Sequence, residues 1–337
     1  MSRPTVRHVL SPPAGLPEDE LVAALRAGWD LDVDSVDYVA LGFGSHHWAA
    51  RGPGDTSWFV TVDELDLRRV ADDEPVTAAF DRLAAALATA SAVHESGATW
   101  VVAPVPARTG EAVVFIRPRF SVAVFPYVDG ERYAWGDFET AEHRRGVLDR
   151  VVALHTAPVA ARAHARTDDF VVPSRAAVES AAAGEPLPDC GPYAERTAAL
   201  VAQHAHRVRD LLSRYDGLVA AARRGPDRTV LTHGEPHRGN TIRTAAGWVL
   251  IDWDTVLLAP PERDLWSLDP GDGSVLAAYT DATGTRPVPE ALDLYRLRWE
   301  VNDLTAYVAR FSSPHADTAD DVESWEQLAA LMARLPG

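Results

Sequence analysis

The stretch LTHGEPHRGNTIRTAAGWVLIDWDTVLLAPPERDLW, from Leu231 to Trp266, carries most of the information about fold and chemistry. It places two histidines, one asparagine, three aspartates and two glutamates around two short apolar runs. Pro236 and Gly239 break any regular helix in its first part. The apolar run before Asp252 predicts a buried strand that ends in carboxylates. An amide oxygen and a carboxylate at neighbouring loop and strand ends are hard oxygen ligands, which suit Mg²⁺ rather than zinc.

Asn240 and Asp252 are therefore the candidate magnesium ligands, and magnesium held in this way is typical of phosphate chemistry. Glu235 is a nearby carboxylate that could take or orient the proton of an attacking hydroxyl. Arg238, in the same loop, is the basic residue best placed by sequence to reach a γ-phosphate. A structural alternative stays open for each residue, because Asn and Asp also form turns and caps and a histidine such as His233 can brace a loop.

The charge of the chain is strongly acidic. Its 337 residues contain 49 acidic and 32 basic residues, and every one of these basic residues is an arginine, since the sequence has no lysine. A surface with this charge disfavours nucleic acid and anionic membranes and attracts cationic small molecules, although acidity also serves solubility alone. The candidate groups for binding a cationic substrate lie in the second half of the stretch 231–266 and in a later predicted helix: Asp254, Glu262, Trp299, Glu300 and Asp303.

Composition also sets the expected location and redox chemistry. The first residues carry proline and charge, and no run approaches the roughly 18 apolar residues that span a bilayer. The sequence therefore predicts a cytoplasmic protein that binds neither membrane nor nucleic acid. A single cysteine, Cys190, excludes an intrachain disulfide framework and a cysteine-rich zinc site.

The first 125 or so residues predict a small α+β unit with an antiparallel sheet. Its predicted elements are a helix over 18–27, strands over 36–41, 46–50 and 58–62, a helix over 74–95, and three strands from TWVVAPVPARTGEAVVFI and FSVAVFPYVDG. The remainder is mostly helical. Its predicted helices cover 139–157, 193–215, 290–311 and 321–335, with the catalytic stretch between them as a loop flanked by short strands.

With these elements in order, the catalytic stretch resembles the aminoglycoside phosphotransferase family. The catalytic loop of that family typically reads H-G-D-x-H-x-x-N and its metal strand reads I-D-W, and here they stand as HGEPHRGN and IDW. The continuation DTVLLAPPERDLW is most similar to the spectinomycin phosphotransferase branch. The resemblance extends to the LGFGSHHW turn, the VFPYVDG segment and the VALHT helix end.

The resemblance implies a bilobal protein-kinase-like fold with a nucleotide-binding lobe over 1–125, a hinge over 126–130 and a catalytic, substrate-binding helical lobe over 131–337. It implies ATP or GTP in the cleft with Mg²⁺. Glu235 would stand where the family has Asp, and Thr61 would stand where it has a phosphate-binding lysine. The implied nucleotide contacts are Gly42, Gly44 and Ser45 over the phosphates, Thr61 on the third strand, and Phe125, Tyr127 and Val128 around adenine.

The expected function is an ATP- and Mg²⁺-dependent O-phosphotransferase, monomeric or homodimeric. Its substrate would be a small hydroxylated cation such as an aminoglycoside or aminocyclitol antibiotic, so that it would act in antibiotic resistance. The alternative is a weak or inactive kinase homologue that binds a ligand or partner. Thr61 favours this alternative, whereas the intact pair of Asn240 and Asp252 opposes it.

Overall fold

A computed structural model describes residues 11–13, 15–41, 44–71, 73–116 and 118–335. Its first part is built on a five-stranded antiparallel sheet in the order β1-β2-β3-β5-β4. The strands are β1 (Ser35–Val39), β2 (His46–Arg51), β3 (Ser57–Glu64), β4 (Val114–Ile116) and β5 (Phe120–Pro126). Alternation along β3 sends its side chains to opposite faces of this sheet.

The two faces of the sheet are covered by different helices. The first face carries Val60 and Val62, which share a core with α1 (Glu18–Trp29). The second face carries Ala123, which packs against α2 (Val76–Glu95). Thr61 is one residue out of phase with Val60 and Val62, so it lies on the second face, opposite Ala123 in the register.

Helix α2 is 20 residues long and apolar enough to cross a membrane by length and composition, although the sequence led us to expect no such segment. It contributes Leu83 and Leu87 to the core beneath the sheet, and both side chains are almost fully buried. A core helix meets the same criterion, because burial inside a protein also selects apolar residues.

The second part is helical and carries two small sheets. Its helices are α3 (Ala141–His155), α4 (Arg175–Ala182), α5 (Ala194–Gln203), α6 (Ala205–Arg224), α7 (Glu262–Leu268), α8 (Ser274–Thr283), α9 (Pro289–Phe311) and α10 (Ala319–Arg334). Its strands are β6 (Glu131–Arg132), β7 (Val230–Thr232), β8 (Thr241–Thr244), β9 (Gly247–Leu250) and β10 (Leu257–Ala259). β7 pairs with β10, and β6, β8 and β9 form the other sheet. α6, α9 and α10 enclose one core, and α3 packs over β7 and β9 in another.

The fold class expected from the sequence is confirmed, with three local differences. The segment TWVVAP forms an isolated bridge at Val101 rather than a strand, since Pro104 and Pro106 cannot donate to a ladder. The predicted helix over 193–215 is two helices that meet at His204. The short helices α4, α7 and α8 were not predicted from the sequence. The domain limits stay a prediction, and the chain passes from β5 to β6 through residues 127–130.

Candidate active site

The loop between β7 and β8, residues 233–240, is anchored by one buried carboxylate. Asp264 accepts the backbone N–H of His233 at 2.9 Å and of Gly234 at 2.6 Å, and it lies 3.0 Å from His155 Nε2. Burial alone would raise the pKa of Asp264, but the hydrogen bond from His155 and the nearby cationic groups lower it. The carboxylate is therefore charged at neutral pH, which strengthens both hydrogen bonds to the loop backbone.

His233 braces the loop in a fixed tautomer. Its Nδ1 accepts the backbone N–H of Glu235 at 3.2 Å, so its Nε2 carries the hydrogen and donates to the Ile251 carbonyl at 3.0 Å. The side chain is fully buried, and burial lowers its pKa. A neutral histidine with hydrogen bonds at both ring nitrogens positions Glu235 relative to the strand end at Ile251. Neither nitrogen is left to take part in catalysis.

Gly234 is required by both conformation and space. Its φ is +100°, and a Cβ there would lie 2.4 Å from the guanidinium of Arg263. Arg263 cannot move aside easily, because it donates to Thr232 Oγ1 at 2.9 Å and to the Thr255 carbonyl at 2.7 Å. The sharp turn that brings Glu235 to the cleft therefore depends on glycine.

Asn240 and Asp252 lie side by side at the ends of neighbouring segments. Asn240 closes a short 3₁₀ turn from Arg238, and its carbonyl accepts the backbone N–H of Ile251 at 3.0 Å. Its Nδ2 donates to the Glu235 carbonyl at 3.1 Å, which leaves Oδ1 as the amide atom available to a cation. Asp252 has a φ of +67°, and a left-handed non-glycine residue is typical of functional sites.

The carboxylates around Asp252 repel one another. Asp252 is exposed, but partial loss of water around its carboxyl group and the negative charges of Asp254 and Glu235 raise its pKa. Burial alone would raise the pKa of Asp254 too, but the charge of Arg68 and its hydrogen bond lower it. The Asp252 carboxylate and the Asn240 amide oxygen are hard-oxygen donors of the kind that Mg²⁺ prefers, although no group of three or more acidic, histidine or cysteine side chains in the described residues is placed to hold a metal ion. A divalent cation would relieve the repulsion.

Glu235 faces a cavity of about 460 Å³. Its side chain is about one-third exposed and lies 3.7 Å from His237 Nε2. Other residues that line the cavity include Asp254, Trp266, Tyr295, Trp299 and Asn302. The rings of Trp266 and Trp299 are 5.5 Å apart, and Asn302 Oδ1 is buried without a hydrogen-bond partner in the described part of the chain.

Arg68 is the cleft residue that the sequence analysis missed. It lies in a 3₁₀ turn (Leu65–Arg68) directly after β3. Its Nη2 is 2.6 Å from both Asp63 Oδ1 and Asp254 Oδ2, and it donates to Ser45 Oγ at 3.0 Å. The signal in the sequence was the paired arginine in DELDLRRV, immediately after a cleft strand.

Arg238 does not lie at the cleft as the sequence suggested. Its Nη1 donates to the Asp137 carbonyl at 2.9 Å, and its Nη2 is 2.8 Å from a carboxylate oxygen of Glu139. The guanidinium also lies over the ring of Tyr133, 5.9 Å from its centroid. These contacts turn the side chain toward the segment before α3, so they lend no support to the role on a γ-phosphate, which stays a prediction.

Three of the predicted substrate acids also lie away from the cavity. Glu262 is fully buried, where it pairs with Arg228 at 2.8 Å and accepts the backbone N–H of Val288. Glu300 is exposed, and Asp303 is 7% exposed within the helical part. Neither lines the cavity, because the stripe of α9 that does so runs through Tyr295, Arg298, Trp299 and Asn302. Asp254 and Trp299 do lie there.

The predicted nucleotide contacts divide between the turn before β2 and the end of β5. Gly42 lies outside the described residues, whereas Gly44 has a φ of +85° and Ser45 donates to Asp63 Oδ1 at 2.7 Å. Phe125 packs partly beneath the sheet. Tyr127 is 42% exposed, and the Val128 carbonyl accepts from Arg132. These nucleotide assignments stay predictions.

The fold combines an antiparallel sheet with a helical part, and an anchored loop presents Glu235 and Asn240 beside Asp252. This combination defines the class of protein-kinase-like phosphotransferases. The chain belongs to the phosphotransferase enzyme family, whose model matches residues 48–298. This match confirms the resemblance read from the sequence.

The relatives agree with this family. Protein StrN of Streptomyces griseus is 34% identical over 255 residues, which cover 71% of this chain and 74% of that protein. A spectinomycin phosphotransferase, APH(9)-Ia, solved with ADP and spectinomycin, superposes with a TM-score of 0.65 at 18% identity over 94% of this chain and 98% of that one. The choline kinase LicA of Streptococcus pneumoniae superposes with a TM-score of 0.55 at 12% identity, over 94% of this chain and 98% of that one. These two likenesses show the fold.

Proposed function

We propose that this protein transfers the γ-phosphoryl group of ATP, with Mg²⁺, to a hydroxyl of a small amine-bearing molecule such as an aminocyclitol or an aminoglycoside. The observation that carries the proposal is the anchored loop, which holds Glu235 and Asn240 against the strand end at Asp252. Phosphoryl transfer depends on positioning and electrostatics rather than on a covalent intermediate. A rigid loop at a cluster of carboxylates meets that requirement.

Each residue has a defined task in this reaction. Asn240 Oδ1 and the Asp252 carboxylate would hold Mg²⁺, which supplies charge neutralisation on the phosphates when bound. Glu235 would orient the acceptor hydroxyl and take its proton at a carboxylate oxygen. His233 and Asp264 keep the loop in place, since both are bonded to its backbone.

The acceptor would bind in the cavity beside Glu235. Trp266 and Trp299 offer an aromatic wall that suits the apolar face of a ring or an ammonium group. Asn302 Oδ1, which has no hydrogen-bond partner among the described residues, can accept one from a hydroxyl or an amine. Asp254 is the predicted substrate acid that remains in the cavity, and Arg68 partly neutralises it. The amine is therefore recognised by aromatic and amide groups as much as by charge.

The direct test is ADP release by the full-length protein with MgATP and matched acceptors. An aminocyclitol, an aminoglycoside, choline and an inositol without an amine form a panel in which the last is the control for the amine. We expect phosphorylation of an amine-bearing acceptor, seen by mass spectrometry as the addition of one phosphoryl group. Binding of MgATP with no acceptor phosphorylated above the background of Asp252→Asn would refute the transferase.

A binding protein without turnover is the second candidate. The observation that favours it is Thr61, which offers only a hydroxyl on the face of the sheet that also carries Asp63. Such a protein would bind nucleotide and amine without releasing ADP. The same assay separates the two candidates, because calorimetry reports binding and ADP release reports turnover.

A further inference from the structure

The positive charge on the nucleotide side of the cleft has to come from arginine or histidine, because the sequence has no lysine. Thr61 lies in mid-strand on the face that also carries Asp63, between its register partners His47 and Ala123. A hydroxyl at that position donates one hydrogen bond and offsets no charge. A triphosphate bound there needs a cation from elsewhere in the fold.

Four other basic groups near the cleft are neutral or held by contacts of their own. Burial lowers the pKa of His47 to about 4, so its ring is neutral at pH 7. His46 lies on the opposite face of β2, where it contacts Tyr38 and Glu64. Arg238 is bonded to the segment before α3, and Arg263 is bonded to Thr232 and Thr255 beneath the loop.

Arg68 differs from these groups in what it touches. Its guanidinium reaches Ser45 in the glycine turn, Asp63 at the end of β3 and Asp254 beside the metal ligand Asp252. The side chain is 24% exposed and lines the cavity that Glu235 faces. Burial alone would lower the pKa of Arg68, but Asp63 and Asp254 raise it, so the charge is permanent.

We infer that Arg68 is the cation that binds the nucleotide phosphates, with Asp63 as the carboxylate that aims it. Asp63 is almost fully buried. It accepts from Arg68 Nε at 2.8 Å and lies 2.6 Å from Nη2, so it fixes the orientation of the guanidinium plane. Asp254 holds Nη2 from the far side of the cleft. These contacts engage Nε and Nη2, so Nη1 is the nitrogen that would donate to a phosphate oxygen, and the guanidinium charge would offset that of the phosphate.

This assignment rests on the proposed function, and it predicts more than a structural ion pair would. A pair that only joined the two parts of the chain would affect stability and would act equally on every ligand. A phosphate-binding arginine acts on ADP and ATP and spares adenosine, because adenosine has no phosphate. The difference between ADP and adenosine affinity is therefore the informative quantity.

The experiment compares the full-length protein with Arg68→Gln by calorimetry, using MgATP, MgADP and adenosine. Gln keeps a hydrogen bond to the buried Asp63 and removes the charge. We expect the Kd for MgADP and MgATP to rise about ten- to hundredfold and the Kd for adenosine to stay within about twofold. The matched control is Arg69→Gln, which removes the neighbouring arginine of the same segment, paired with Asp66 on the adjoining turn. It should leave all three constants unchanged.

Two further variants sharpen the test, and the first of them keeps it decisive if Arg68→Gln folds poorly. Arg68→Lys keeps the charge but loses the planar guanidinium that Asp63 orients, so we expect an intermediate affinity for MgADP. Thr61→Lys in the Arg68→Gln background places an ammonium on β3, and we expect it to restore much of the lost affinity.

The inference is overturned if Arg68→Gln binds MgADP as tightly as the natural chain, or if it weakens adenosine equally. The first result with turnover intact leaves the transferase standing. A natural chain that binds no nucleotide at all would refute both.

Discussion

The two walls of the cleft are built by different means. The wall that carries Glu235 and Asp252 is held by hydrogen bonds between backbone groups and fixed side chains within residues 232–264, and Asp264 is its anchor. The opposite wall is joined to the first by a side-chain ion pair between residues far apart in sequence, Arg68 and Asp254. A wall made from local backbone contacts can be read from a motif. A wall made from long side chains cannot, because their direction depends on the packing of distant elements.

The largest effect should come from Asp252, the proposed metal ligand of the first wall. Asp252→Asn removes the charge while keeping a residue that tolerates the left-handed backbone. We expect turnover to fall on the order of 10³-fold and Mg²⁺-dependent nucleotide affinity to disappear with the fold intact. Asp55→Asn is the matched control, since Asp55 also has a positive φ of +62° and lies in an exposed turn. Unchanged magnesium dependence in Asp252→Asn would refute the assignment of Asp252 as a magnesium ligand.

Glu235→Gln tests the base on the same wall. The amide keeps the shape and loses the ability to take a proton, so we expect kcat to fall on the order of 10²- to 10³-fold with little change in KM. Steady-state kinetics with both substrates measures this split. Glu139→Gln is the control, because Glu139 is exposed and pairs with Arg238 outside the cleft. Turnover within a few-fold of the natural protein would make Glu235 structural.

Trp299→Ala tests the acceptor cavity between the walls. Removal of one ring of the aromatic pair should raise the KM for the acceptor about tenfold and leave the KM for ATP unchanged. Glu300→Ala, one residue along α9 and outside the cavity, should change neither constant. An effect of Glu300→Ala equal to that of Trp299→Ala would support the substrate-binding role that the sequence analysis gave to Glu300.

The smallest effect concerns stability and pH. His143 stacks on Trp248 with centroids 3.9 Å apart, and burial lowers its pKa to about 4. The unfolded chain then holds more protons than the folded one between pH 6.5 and 4, so stability is complete above pH 6.5 and falls as the pH drops through that window. The slope from one such histidine is about 1.4 kcal/mol per pH unit.

Urea unfolding from pH 7 to pH 4 measures this slope. His143→Gln should remove the contribution of His143 to the pH dependence of the free energy of unfolding. His206→Gln, at an exposed histidine, should leave that dependence unchanged. The same experiment applies to His47 on the opposite wall, where burial also lowers the pKa to about 4. Equal slopes in the natural protein and His143→Gln would contradict a neutral buried ring.

The sequence by itself predicted the α+β fold class, the family and the loop that presents Glu235, Asn240 and Asp252 together. It could do so because alternation and helical periodicity report burial directly, and because Pro236 and Gly239 restrict the loop to few paths. The structure places these residues side by side, although their roles toward metal and substrate stay predictions. The structure places away from the cavity several residues whose assignment needed a direction for a long side chain.

Only the tertiary structure decided those directions. Glu300 and Asp303 share a helix face by spacing, but the packing of α9 turns Trp299 and Asn302 toward the cavity instead. Glu262 meets Arg228, and Arg238 meets Glu139, through contacts that no local pattern encodes. Arg68 reaches Asp254 across 186 residues of sequence. Such pairs form because a buried charge must find a partner wherever the fold brings one, so the partner depends on the whole packed chain.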